Sequence, residues 1–349
     1  MKQNRNTMIA VLAAALLLAS CSKEVGNGGA EPSVPVAPAL LGISVAVTPQ
    51  SRSVVTGTAF KHGSRINIIM QDAGATTIYR GLSQPYEFQK LTDADPGTWV
   101  PTAAEGLLVS DPANVYAHYP AVLAVSEAVL SSDKKTLTLA LPAARDFGDI
   151  NTSSSFESFY MKLKADDPDP TEIFVCTDDT DYMTGQGTQV STLQGGSKQT
   201  AVSMQHALAM VIVYVKRAAG TSDLPDVRGI TIQNKAGGAA PLKQGSFLLA
   251  DNSFTANSAE AGYTRTMSGF PVDVVRYALL VYPAAMEKGA AEMILTTDGA
   301  AYTMDMPAKT WTSGRVYIYN VEISANEAQI GGVTITDWPE WTDKPFELE

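Results

Sequence analysis

The chain has 349 residues and a mass of 37.0 kDa, long enough for two domains of ordinary size that each bury a core. Hydrophobic residues make up 45%, charged residues 17% and aromatic residues 8%, which excludes collagen-like and disordered chains and suits a strand-rich secreted protein. The formal charge is −11 and no run of Lys or Arg occurs, which excludes nucleic acid as a partner because phosphate binding needs clustered cations.

Residues 1–20 read as a lipoprotein signal peptide. Lys2 and Arg5 make a basic start, residues 8–19 are an unbroken apolar run, and Leu18-Ala19-Ser20-Cys21 closes it. The run is shorter than the roughly 20 apolar residues a bilayer-spanning helix needs, so a cleaved signal is expected rather than a transmembrane anchor. The Leu-Ala-Ser-Cys order resembles a bacterial lipobox, in which Cys21 becomes the lipid attachment site. Acyl chains contribute roughly 0.8 kcal/mol per buried CH₂, so the membrane is expected as an anchoring surface through this lipid only. Residues 21–39, rich in Gly, Pro, Ser and Ala, read as a flexible tether.

At residue 40 the pattern changes to alternation. Leu41, Ile43, Val45 and Val47 point one way while Gly42, Ser44 and Ala46 point the other, as in a strand with one apolar face. Pro49-Gln50-Ser51-Arg52 breaks it, and Ser53-Val54-Val55 resumes as a short second strand. Further strands are predicted over 65–71, with Ile66, Ile68 and Met70 on one face, over 115–119, and over 135–141. Gly195-Gly196-Ser197 reads as a loop, followed by the apolar stretch 201–215. There the β-formers 210–215 predict a buried strand, despite the helix-friendly residues 205–209 before them. Strands follow over 229–233, 276–282, 292–297, 302–306, 316–323 and 332–337. Short strands at this spacing predict β-sandwiches, organised as two all-β domains over 40–196 and 197–349. Tyr119-Pro120-Ala121 and Tyr282-Pro283-Ala284 each end a predicted strand, a faint echo between the halves.

Motifs that carry chemistry are missing. The sequence has no His-Glu-x-x-His, no Gly-x-Ser-x-Gly, no phosphate-binding glycine loop and no paired cysteines for zinc. With Cys21 given to the lipid, Cys176 is left alone, and beside Phe174 and Val175 it reads as a small buried hydrophobe. His62, His118 and His206 are far apart and read as strand or loop residues. The acidic stretches Asp166-Asp167-Pro168-Asp169 and Asp178-Asp179-Thr180-Asp181 lack the spacing of a calcium loop and read as solvated. No metal and no cofactor is expected, and the chain is not expected to be an enzyme. Trp99, Trp311, Trp338 and Trp341 are candidates for a sugar-stacking face, which would make the chain a surface glycan-binding lipoprotein, but their spread suits packing better.

The order of these features resembles the fimbrillin family of Bacteroidetes, the subunits of type V pili. The resemblance rests on the lipobox, tether and apolar strand followed by Ser51-Arg52-Ser53-Val54-Val55-Thr56-Gly57-Thr58-Ala59-Phe60. It continues in Asp181-Tyr182-Met183-Thr184, in Met204-Gln205-His206-Ala207-Leu208-Ala209 and in the closing Val333-Thr334-Ile335-Thr336-Asp337-Trp338. It implies two transthyretin-like β-sandwich domains in tandem and export to the cell surface as an outer-membrane lipoprotein. It also implies an arginine-specific protease that cuts between Arg52 and Ser53. The first strand, with Leu41, Ile43, Val45 and Val47, would then leave. A neighbouring pilin subunit would fill its place with a donor strand, for which residues 329–349 with Ile330, Val333 and Ile335 are the candidate. Partners are then other pilin subunits, in a self-polymer or as stalk, anchor and tip, supporting adhesion.

Overall fold

A computed structural model describes residues 39–47, 60, 62–73, 79, 85–92, 97–103, 108–109, 112–146, 160–161, 173–176, 181–191, 198–218, 226–258, 262–269, 274–324 and 327–337. The signal peptide, Cys21, all of the tether but Ala39, Arg52 and Ser53 with their short strand, the loop at residue 197, Trp338 and Trp341 lie outside the described residues. Among the described residues every regular element is a β-strand, and the strands build two β-sandwich domains in tandem around two apolar cores. The all-β class expected from strand spacing is the class observed.

The first domain is built on one seven-stranded sheet. Its order is Gly42–Val47, Gln199–His206, Met183–Gly187, Ala113–Tyr119, Arg65–Asp72, Tyr86–Lys90, Trp99–Pro101. The sheet curls until its two edge strands, Gly42–Val47 and Trp99–Pro101, approach within 8 Å between Cα atoms. Alternation explains the curl, because one face of each strand is apolar and the faces close on one core of Ile66, Ile68, Met70, Val115, Val202 and Met204. Arg65–Asp72 is buried on both faces, since Ile69 points away from that core into the second one.

The second domain sets a six-stranded sheet against a five-stranded one. The six-stranded sheet runs Tyr160–Met161, Ile173–Cys176, Val274–Val281, Ala209–Arg217, Arg315–Ile323, Ala328–Asp337. The five-stranded sheet runs Ala144–Asp146, Arg265–Ser268, Val227–Asn234, Ala291–Thr297, Ala301–Asp305. Val211, Val213, Tyr277 and Tyr319 from the first and Ile230, Ile232, Met293 and Leu295 from the second share the core. A four-stranded sheet joins Ala128–Leu130 and Thr136–Leu139 to Gly245–Leu248 and Phe254–Ala256.

One expectation needs correction. The stretch 201–215 is two strands, Gln199–His206 in the first sheet and Ala209–Arg217 in the second, with a bend at Ala207 and Leu208, both fully buried. Residues 205 and 206, read as helix-friendly, continue a strictly alternating strand. Thr200, Val202, Met204 and His206 are buried while Ala201, Ser203 and Gln205 are exposed. Helix propensity of single residues is a weak prior, and the tertiary partner overrides it.

Candidate functional site

The two segments that the fimbrillin resemblance implies as leaving and entering strands are both edge strands among the described residues. Gly42–Val47 lies at the edge of the seven-stranded sheet and pairs parallel to Gln199–His206, from Gly42 opposite Gln199 to Val47 opposite Met204. The Gly42 amide donates to the Lys198 carbonyl at 3.0 Å and starts the ladder. Its apolar face is inside, with Leu41, Ile43, Val45 and Val47 between 2% and 9% exposed, while Ala46 faces out. Four such side chains at roughly 1.5–3 kcal/mol each give a gross burial of about 6–12 kcal/mol. The strand therefore plugs a groove whose open sides are the edge of Gln199–His206 and the nearby strand Trp99–Pro101. Sequence reasoning missed this pairing partner, Gln199–His206. Its signal was present in the alternation of Thr200, Val202 and Met204 against Ala201, Ser203 and Gln205, hidden by reading 201–215 as one unit.

The candidate donor, Ala328–Asp337, is the edge of the six-stranded sheet and pairs antiparallel with Arg315–Ile323. A bulge skips Gly331, so that Ile330 opposes Val321, Gly332 opposes Asn320, Val333 opposes Tyr319 and Ile335 opposes Tyr317. Val321, Tyr319 and Tyr317 all face the core, so the bulge brings Ile330, Val333 and Ile335 onto one face, although a regular strand would put residues 330 and 333 on opposite faces. Ile330 and Val333 are half-buried against the second core, and Ile335 is 47% exposed. The connecting turn is self-contained, with the Ser324 amide donating to the Glu327 carbonyl at 2.8 Å and the Glu327 amide donating to Ser324 Oγ at 3.2 Å.

The remaining candidates resolve into structural roles. His118 is fully buried. Its Nδ1 lies 3.0 Å from the Pro120 carbonyl oxygen and so carries the proton, while Nε2 accepts from Asn67 Nδ2 at 3.3 Å. Burial pulls its pKa down from 6.5 to about 4, against the opposing pull of the Pro120 bond, so the ring is neutral at neutral pH. His206 is also buried, with Nδ1 2.8 Å from Asp181 Oδ1, whereas His62 is exposed. Among the described residues no His, Cys, Asp and Glu cluster suits a metal ion. Cys176 lies on the strand Ile173–Cys176, opposite Ala278. Trp99 and Trp311 are 6% and 1% exposed, so these two sit in cores instead of forming a stacking face.

A cleft of about 360 Å³ runs along the outer face of Gln199–His206, lined by Thr184, Gln186, Ser203, Gln205, Asp251 and Asn252 among others. Two of its polar side chains are tied into the protein: Thr184 Oγ1 donates to Asn252 Oδ1 at 2.8 Å, and Asn252 Nδ2 donates to the His206 carbonyl at 2.6 Å. Asn252 reaches both from a left-handed backbone, φ 57°. These bonds brace the turn after Gly245–Leu248 against the first sheet.

Residues 177–338, a little under half of the chain, match the family model described as fimbrillin-like, so the fimbrillin resemblance read from the sequence holds over that stretch. No curated protein matches the chain. Among solved structures, the chain is similar to a proposed cell adhesion protein from Bacteroides ovatus at 14% identity and TM-score 0.55, covering 86% of this chain and 98% of the other. It is similar to a fimbrial protein from Bacteroides vulgatus at 12% identity and TM-score 0.51, covering 85% and 99%. A proposed cell adhesion protein from Bacteroides uniformis is similar at 14% identity and TM-score 0.50, covering 85% and 97%. At these identities the likeness is one of fold.

Proposed function

We propose that the chain is a structural, non-catalytic subunit of a cell-surface pilus that supports adhesion. In this reading it is exported as an outer-membrane lipoprotein through Cys21 and polymerises when cleavage between Arg52 and Ser53 lets the first strand leave. The fimbrillin-like match supports the pilus class. The observation that carries the mechanism is the edge strand Gly42–Val47. With the preceding Leu41 it closes a core with four apolar side chains, among the described residues it pairs with one neighbouring strand, and it ends shortly before Arg52 in the chain. An emptied position of that kind is a template for strand addition, and one contact repeated head to tail gives a filament instead of a closed ring. The candidate donor is paired within its own subunit, so donation requires Ala328–Asp337 to peel from Arg315–Ile323 first.

The test is digestion of the lipidated chain with an arginine-specific protease, followed by N-terminal sequencing and electrophoresis without boiling. The expected result is a new N-terminus at Ser53 and a ladder of heat-labile multimers. Arg52→Ala should stay monomeric and lipidated, and deletion of residues 329–349 should block chain growth. Normal multimers from both variants would overturn the reading.

A further inference from the structure

Lys90 occupies an unusual place for its chemistry. It ends the strand Tyr86–Lys90, where Phe88 and Lys90 share the inward face, and it is 1% exposed. A lysine so deeply buried must have its ammonium satisfied by the protein. Its Nζ donates to the main-chain carbonyl of Phe60. The Lys90 backbone holds the same turn a second and third time, since its amide donates to the Ser64 carbonyl at 2.9 Å and its carbonyl accepts from the Gly63 amide at 2.9 Å. Gly63 takes φ 87°, a conformation open to glycine, which lets the chain reverse there into Arg65–Asp72.

Phe60 is fixed from its other side as well. Its ring, 2% exposed, meets Trp99 edge-on at 5.5 Å and Tyr119 at 5.3 Å. Trp99 begins the strand that approaches Gly42–Val47 across the curl of the sheet. Phe60 therefore lies downstream of Arg52 in sequence and, through Trp99, against the wall that the first strand covers.

We propose that Lys90 and Phe60 form a fixed anchor that confines strand release to residues upstream of Phe60. This rests on the strand-release reading above and adds what stops it. Without an anchor, a cut at Arg52 would leave a chain end able to fray into Arg65–Asp72, the strand buried between both cores. With it, the departure of Gly42–Val47 empties one strand position while the Phe60–Trp99 wall stays preformed for the incoming strand. Preformed walls cut the ordering cost of binding. Lys90 is thus a positioning residue that never touches the exchanging strand.

The test compares hydrogen exchange in the intact full-length chain with that of Lys90→Met, which keeps the alkyl stem and removes the donor. Amides in residues 60–70 should exchange about tenfold faster, the size of one lost buried hydrogen bond, while residues 42–47 and 199–206 change by less than about threefold. Trypsin should then open a new N-terminus at Ile66 in the variant and not in the wild type. Unchanged exchange in 60–70, or acceleration spread equally over 42–47 and 199–206, would overturn the anchor. Should Lys90→Met not fold, Phe60→Leu makes the same comparison by removing the ring contacts, with the same outcomes deciding. The measurement uses uncut protein, so a chain with a working anchor that is never cleaved at Arg52 would count against the pilus reading alone.

Discussion

Among the described residues Gly42–Val47 and Ala328–Asp337 are both edge strands with apolar side chains on one face, yet they are held in opposite ways. Gly42–Val47, with Leu41 just before it, buries four apolar side chains almost completely but pairs with a strand beginning at Gln199, far along the chain. Ala328–Asp337 buries its apolar side chains only by half but is joined to its partner by a tight turn at Ser324 and Glu327. The first strand is strong in side-chain burial and costly in loop closure; the last is weak in burial and nearly free of closure cost. Cutting the backbone after the first strand would turn its docking into a bimolecular contact that is lost on dilution. The last strand would re-form its hairpin at once after any opening, because its partner remains at a high effective concentration. On the proposed reading, a subunit built this way would release its first strand by a chemical event and lend its last strand only when a better partner is at hand.

The sharpest way to break the comparison is to place a charge inside the first strand. Val45→Asp buries an unpaired carboxylate at a site 2% exposed and removes a fully packed side chain, which should destabilise the docked strand by about 3–5 kcal/mol. Because the strand is an edge, the expected outcome is local release without cleavage. Hydrogen exchange should lose protection over residues 199–206 and keep it over 209–217. Loss of protection in both at once would show that the two cores unfold as one unit.

Acid separates the two regions more gently. His118 sits in the seven-stranded sheet, and no histidine follows residue 206. The folded pKa of His118 is lowered to about 4 from 6.5, so between these values the unfolded chain binds the extra proton. Its contribution is present in full above about pH 6.5 and is lost as pH falls toward about 4, by about 3 kcal/mol. Thermal denaturation from pH 7 to 4 should show the first domain weakening before the second, and His118→Gln should flatten that slope.

Much of this was legible in the residues. Alternation of Leu41, Ile43, Val45 and Val47 gave a strand and its inward face, and Ile66, Ile68 and Met70 did the same for Arg65–Asp72. Period, however, carries no information on the partner. Nothing local says that Gly42–Val47 pairs with Gln199–His206, or that Thr136–Leu139 pairs with Gly245–Leu248, because such pairings are decided by which apolar faces close a common core. The Gly331 bulge was illegible for a related reason. Ile330 and Val333 look mismatched until the Val321 and Tyr319 positions opposite them are known. Lys90 did leave a trace, a lone cation in the inward slot after Phe88, which would suggest an exposed edge until its acceptor on Phe60 is seen.

The smallest expected effect is the most discriminating. Ile335 is 47% exposed at the far end of Ala328–Asp337, so Ile335→Ser should change the stability of the isolated subunit by less than about 0.5 kcal/mol, as surface substitutions do. Ile330 and Val333, half-buried, should lose about 1 kcal/mol each on the same change. In a neighbour's groove the order changes. That groove takes four fully buried side chains on one face, so an Ile335 side chain entering it would go from half-exposed to buried and gain about 1–1.5 kcal/mol. Ile335→Ser should therefore leave monomer denaturation untouched and raise the dissociation rate of multimers about tenfold, measured on multimers isolated after arginine-specific cleavage. A residue silent in the monomer and costly in the multimer is the signature of a side chain kept for its partner. Equal multimer lifetimes with and without Ile335 would place the donor register elsewhere in the chain.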